Sequence, residues 1–224
     1  MLRWIVVVLL LLVGASFYVS HRRGASSPGA VATTGVAGAS VATPTLLASG
    51  CAPPTELAFG DGPVQSAAPS DLAPFRHADA TLKALAGFSV DARVLSSKTY
   101  GSDREARYAP IDLALGWGRM REDAVLSQLD ISQSGRWYQY RWSNQPPIPQ
   151  DEIVRSSANM HMIPSNETVA NALEDIDDDD RVRIDGWLVQ VEAQDGWRWR
   201  SSTTREDQGD GACEVVYVCA VSKR

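Results

Sequence analysis

The hydrophobic and polar positions divide the chain into segments of different kinds. From Trp4 to Val19 no side chain is charged and most are apolar, and the run is framed by Arg3 on one side and Arg22 and Arg23 on the other. As a helix, sixteen residues rise about 24 Å, short of a hydrocarbon core of about 30 Å. A span therefore needs Arg3 to snorkel and Trp4 and Tyr18 to sit at the interfaces. The same run also fits a secretory signal cleaved near Val13, Gly14 and Ala15. Phe17 and Tyr18, bulky residues beyond the small ones, favour the anchor. Residues 24 to 55 carry no charge, and 26 of these 32 are Gly, Ala, Ser, Thr or Pro. Such a composition cannot bury a core and suits a flexible tether. The expected organisation is an anchor or signal peptide over 1–23, a flexible linker over 24–70 and a globular domain over 71–224.

Within that domain the periodicity changes repeatedly. Phe88, Val90, Ala92 and Val94 alternate with polar residues as in a half-buried strand. Ile111, Leu113 and Leu115 lead into Gly116, Trp117 and Gly118, and Ala124, Val125, Leu126 and Leu129 follow at short helical spacing. Arg136 to Trp142 reads as a strand with Trp and Tyr in the core and Arg at its margins, closed by Pro146, Pro147 and Pro149. Ser165 is placed to cap a helix whose Val169, Leu173 and Ile176 share one face. The phase of Val182 to Val191 blurs at Gly186, which signals a bulge or tight bend. A three-residue loop of Gln194, Asp195 and Gly196 pairs Val191 with Trp199, Glu192 with Arg198 and Gln190 with Arg200. A two-residue loop would set Val191 against Arg200, so side-chain matching selects the longer one with Gly196 left-handed. Glu214 to Val221 is apolar on both faces after Glu214, as expected of a central strand. Together these elements predict an α+β domain: a small curled antiparallel sheet or OB-like or SH3-like barrel with one to three helices.

Charge sharpens the picture. The whole chain has a formal net charge of -6, but residues 71–224 hold 18 basic and 25 acidic side chains, a net of -7. A domain this acidic lacks the electrostatic grip that phosphate backbones reward. Cys51, Cys213 and Cys219 are odd in number. Cys213 and Cys219, six strand steps and about 20 Å apart, are too distant to bridge each other, which leaves Cys51 free to pair with either.

The chemistry-bearing candidates are few. His161, in Ser157-Ala158-Asn159-Met160-His161, has the residue type of a general base for Ser157 or Cys213, with Asp112 or Asn159 to orient it. No nucleophile elbow accompanies it, so a structural histidine is the competing reading. Arg136, Tyr138 and Arg141, with Trp117 and Asn159, offer an aromatic and basic surface for a ligand. In its strongest form that surface would stack single-stranded nucleic acid, against which the net charge argues. Three scattered histidines without C-x-x-C or H-E-x-x-H give no transition-metal site, and Asp177 to Asp180 lacks calcium-loop spacing. No cofactor is expected.

The segments Ala92-Arg93-Val94-Leu95-Ser96, Asp112 to Gly118, Asp130-Ile131-Ser132-Gln133-Ser134, Ser157 to His161 and Gly211-Ala212-Cys213-Glu214 resemble a family of uncharacterised bacterial proteins with one N-terminal membrane segment. The resemblance covers about residues 88–221. It implies bacterial origin and a single-pass topology but no reaction. The resulting expectation is an inner-membrane protein held in the bilayer through residues 4–19, with its C-terminal domain in the periplasm. That domain would bind an unknown protein or small-molecule partner without catalysis. A hydrolase using His161 with Ser157 or Cys213 is the alternative, and a single-strand nucleic-acid binder the second.

Overall fold

A computed structural model describes residues 51–204 and 212–224. The expectations for the membrane segment and for the tether up to residue 50 lie outside the described residues. Those described belong to one unit of the chain, Thr43–Arg224.

The architecture is α+β and mostly sheet. Among the described residues ten strands form in order: β1 Val64–Ala67, β2 Phe75–His77, β3 Ala80–Thr99, β4 Ile111–Gly116, β5 Asp130–Ser134, β6 Trp137–Arg141, β7 Ser157–Pro164, β8 Arg181–Ala193, β9 Arg198–Arg200 and β10 Glu214–Lys223. Three α-helices occur among the described residues: α1 Asp123–Leu126, α2 Gln150–Arg155 and α3 Glu167–Glu174. β5 and β6 pair as a separate two-stranded hairpin, while the other eight strands make one curled sheet. Within that sheet β3 pairs β4, β4 pairs β7, β7 pairs β10 and β10 pairs β8, and β8 returns to β3. The β7–β10 pairing is parallel and the others in this ring are antiparallel.

Alternation sorts the side chains. Phe88, Val90, Val94, Ile111, Leu113, Leu115, Met160, Met162, Ile184, Leu188, Val216 and Val218 fill one buried cluster, joined by Val169 and Leu173 of α3 and by Ile176 just beyond it. This is the helix face read from the sequence. Its cap is Asn166 rather than the expected Ser165: the Asn166 side chain accepts a hydrogen bond from the Val169 N–H at 3.0 Å. Asn one position later satisfies an orphan first-turn donor equally well, which spacing alone did not separate.

The 194–196 loop has the expected register, with Gln190 opposite Arg200, Val191 opposite Trp199 and Glu192 opposite Arg198. Gly196 takes a φ of +88°. At Gly186 the extra residue of the bulge is Cys219, on the facing strand β10. A Cβ on Gly186 would stand 2.2 Å from the Tyr217 carbonyl oxygen, so only glycine permits this approach.

The linker boundary at residue 70 is corrected. β1 lies within it and pairs with β3, Ala58 is buried, and its N–H donates to Ser89 Oγ at 2.7 Å. Cys51 forms a disulfide with Cys219, with the Cα atoms 4.8 Å apart. The Trp187 indole N–H donates to the Ala52 carbonyl at 3.0 Å. Proline and glycine here prevent a regular element without preventing packing, which is why composition read the segment as loose. Among the described residues no helix is long and apolar enough to cross a membrane.

Candidate functional site

The outer side of β4 and β7 is where polar side chains gather. Asp112 alternates with Ile111 and Leu113, so it faces away from the buried cluster they join, and its cross-strand partner is His161. Both are buried, Asp112 completely. The pair is joined by His161 Nδ1 and Asp112 Oδ1 at 2.8 Å. Asp112 Oδ1 also accepts from Arg136 at 2.7 Å, and Oδ2 accepts from the Asn159 amide at 3.3 Å. Nδ1 therefore faces the carboxylate and Nε2 is turned away from it. Among the described residues Nε2 has no hydrogen-bond partner.

The expected arrangement of Arg136 to Trp142 holds for Tyr138, Tyr140 and Trp142, which pack against an apolar cluster, and for exposed Arg141, but Arg136 and Trp137 exchange places. Arg136 has a φ of +71°, directly after Gly135 at +57°, and this left-handed turn between β5 and β6 swings its side chain inward. Its guanidinium donates to both Asp103 oxygens at 2.8 and 2.7 Å and to the Ala109 carbonyl at 2.9 Å, as well as to Asp112. It also lies 3.9 Å from the centre of the Tyr100 ring. Trp137, expected in the core, is 38% exposed. A guanidinium with two carboxylates within reach is better placed inside than a Trp without such partners, and the turn conformation enforces that choice. Burial opposes the Arg136 charge, but Asp103 and Asp112 outweigh it and hold its pKa above the ordinary arginine value. Its hydrogen bonds hold the Asp103 carboxyl below the usual aspartate range.

An aromatic wall completes the site. The β8–β9 hairpin lays Trp199 against His161 with ring centres 4.8 Å apart, and Trp197 and Tyr108 continue the stack. Arg104 sits over Trp197 and pairs with Asp195 at 2.6 Å, tying the 100–110 loop to the 194–196 loop. A cavity of about 180 Å³ remains, lined by His161, Arg136, Trp137 and Trp199. Glu105, Arg200 and Cys213 also line it.

Of the candidates from sequence, His161, Asp112, Asn159 and Arg136 form one hydrogen-bonded group, and Cys213 shares its cavity. Ser157 does not join them. It lies four residues and about 13 Å along β7 from His161, and its hydroxyl is engaged by Ile153 and Tyr138, each at 2.7 Å. Tyr138 packs in the apolar layer beneath the hairpin and burial raises its pKa, while Trp117 belongs to the main core. Arg141 is an exposed hairpin residue opposite Asp130. Sequence reasoning missed Asp103, Glu105, Trp199 and Arg200 as site residues. The only signal was that Trp197 and Trp199 offered more aromatic surface than one short hairpin needs.

Among the described residues no group of three or more His, Cys, Asp or Glu is placed to hold a metal ion. Comparison with protein-family models, curated proteins and solved structures gave no match in any of the three.

Proposed function

We propose that this domain is an OB-type barrel whose task is to bind a small ligand, or a protruding group of a larger partner, in the cleft over β4 and β7. The strand order supports the barrel class. Counting β3, β4, β7, β8 and β10 as first to fifth, the ring runs first, second, third, fifth, fourth and back to first, with α3 between third and fourth. Barrels of this type bind ligands on the face of the second and third strands, between the loop joining first to second and the loop joining fourth to fifth. Here those elements are β4, β7, residues 100–110 and the segment around β9, and all but β4 contribute to the lining of the cavity.

The observation that carries the reading is the cavity itself, in which the buried His161 lies between Trp199 and Arg136. A concave site with an aromatic wall and a few convergent polar groups is the form that small-ligand sites take. In this reading the N-terminal segment holds the protein in a bacterial inner membrane and the domain works in the periplasm. The acidic surface favours small or uncharged ligands over nucleic acid.

Native mass spectrometry of the full-length protein, extracted in mild detergent, tests the binding. A ligand retained by the native protein and lost in Trp199→Ala supports it. Equal retention in both, or retention in neither across a fragment library of hydroxyl and amine compounds, overturns it. Alkaline phosphatase fused after Arg224 tests the compartment: activity supports the periplasmic reading, and an inactive fusion overturns it.

A further inference from the structure

We infer that the cleft takes a sugar: one pyranose ring laid against an indole face, with its hydroxyls held by Glu105 and Arg200. The inference names a ligand class for the binding reading above and rests on it.

Trp137 supplies the first observation. It lines the cavity, is 38% exposed and belongs to none of the buried apolar clusters. Tyr138 and Tyr140, on the same strand, pack against an apolar cluster, so Trp137 is the aromatic of β6 left facing solvent and the cleft. The turn sets it there, because the left-handed Arg136 backbone sends the guanidinium inward and brings the next side chain to the cavity. A ring that buries so little apolar area adds little to folding, and its face is open to a ligand. Trp199 lines the same cavity, held against His161.

The charges decide what the indoles meet. Arg136 is answered by two carboxylates and spends four hydrogen bonds on Asp103, Asp112 and the Ala109 carbonyl. Glu105 and Arg200, the other charged groups of the lining, are of opposite sign. Among the described residues the Glu105 carboxylate takes no hydrogen bond or ion pair, and Arg200 donates to Gln190 at 2.9 Å but pairs with no carboxylate. The cleft therefore has no surplus of positive charge to draw a phosphate or carboxylate, while two guanidiniums oppose an ammonium. What fits is a neutral ligand that both donates and accepts. Barrels of this type take oligonucleotides or oligosaccharides on this face, and the first class needs the positive surplus that is missing.

A pyranose meets each group present. Its neighbouring hydroxyls donate to a carboxylate and accept from a guanidinium fork, both of them charge-assisted hydrogen bonds. The C–H bonds of a ring face are drawn to the negative face of an indole. A cavity of about 180 Å³ holds the volume of about six waters, room for one ring, so further sugars of a chain would lie outside it. A free sugar and the terminal ring of a glycan share this chemistry.

The full-length protein, extracted in a polyoxyethylene detergent that carries no sugar, is titrated with methyl glycosides of glucose, galactose, mannose and N-acetylglucosamine. The corresponding oligosaccharides, a set of amino acids and inorganic phosphate are titrated in parallel, with saturation-transfer NMR as the readout. The expected result is saturation of the C–H protons on one face of at least one methyl glycoside. Trp137→Ala should weaken that binding about tenfold, Trp137→Phe should restore most of it, and Glu105→Gln should weaken it by a similar factor. Both side chains stand outside the buried clusters, so the urea midpoint should stay at the native value and report that the variants fold. Binding of a methyl glycoside and its oligosaccharide within about threefold of each other identifies a free sugar, and an oligosaccharide held about tenfold tighter identifies the end of a glycan. Sugar binding equal in native protein, Trp137→Ala and Glu105→Gln overturns the proposal. Retention of amino acids or phosphate but of no sugar, lost in Trp199→Ala, overturns the sugar and leaves the ligand site standing. Retention of nothing overturns both.

Discussion

The two faces of β4 and β7 are buried to the same degree and hold opposite chemistry. Leu113 on the inner face and Asp112 on the outer are both fully buried. Leu113 meets Met160, Met162 and other apolar side chains in a packing that many hydrophobic sequences could achieve. Asp112 meets Arg136, His161 and Asn159, and its burial is tolerable only because each oxygen is met by a donor. The inner face is held by volume and the outer by valence. An error on the inner face leaves a cavity, while one on the outer face leaves a stranded charge.

The largest expected effect follows from that difference. Arg136→Ala should destabilise the domain by about 3–5 kcal/mol, because the buried Asp112 carboxylate loses the arginine paired with it at 2.7 Å. Leu113→Ala should cost a similar ~2–5 kcal/mol by opening a cavity. Chemical denaturation would show both, and the double substitution Arg136→Ala with Asp112→Leu tells them apart. Removing both charges should recover a large part of the Arg136→Ala loss, as buried pairs replaced by apolar groups often do. No recovery would mean that Arg136 acts mainly through Asp103 and the 100–110 loop.

The disulfide comes next. It closes a long loop between Cys51 and Cys219, and reduction should cost about 2–4 kcal/mol and shift the melting temperature downward. Cys51 and Cys219 pack against the apolar cluster of Tyr217 and Trp187, and Trp197 and Trp199 of the aromatic wall pack against the same cluster. Reduction should therefore weaken ligand retention in the cleft as well, and retention unchanged after reduction would show that the wall stands without the bridge.

Acid distinguishes the two kinds of burial by where stability is lost. His77 packs beside Tyr217, and burial holds its pKa below the usual 6.5. Between its folded value and 6.5 the unfolded chain binds the extra proton, so stability is full above 6.5 and falls as pH drops below it. Asp103 is held below its ordinary 3.8 by Arg136, so its contribution is present above 3.8 and fades as pH falls through the lower folded value. Urea midpoints against pH should fall in two stages, with His77→Asn flattening the upper one and Arg136→Ala the lower.

The inner face was the legible one. Alternation at Phe88 to Val94 and Ile111 to Leu115, the shared face of Val169, Leu173 and Ile176, and the 194–196 loop register all rest on local periodicity, which packing then obeys. Residue type marks His161 and Asp112 as candidates, but the reason they are buried lies in residues remote in the chain. Arg136 reaches them through a left-handed turn, Asp103 through a loop and Trp199 through a hairpin more than thirty residues away. A polar side chain in sequence reads as solvent-facing, and only tertiary structure supplies the partners that make its burial affordable. The same holds for residues 51–70, whose Pro and Gly content hid a strand, while the bridge from Cys51 to Cys219 is one of the two pairings that spacing left open.

The smallest effect serves as the control for the comparison. Asn166 caps α3, whose Val169 and Leu173 join the inner cluster, and among the described residues it is not part of the cavity lining. Asn166→Ala removes one side-chain acceptor from an exposed helix start and should cost about 1 kcal/mol. The site should not notice: ligand retention in the cleft, read by native mass spectrometry, should match the native protein. A change in retention here would show that α3 and the cleft move together, and would end the description of two faces stabilised independently by volume on one side and by paired charge on the other.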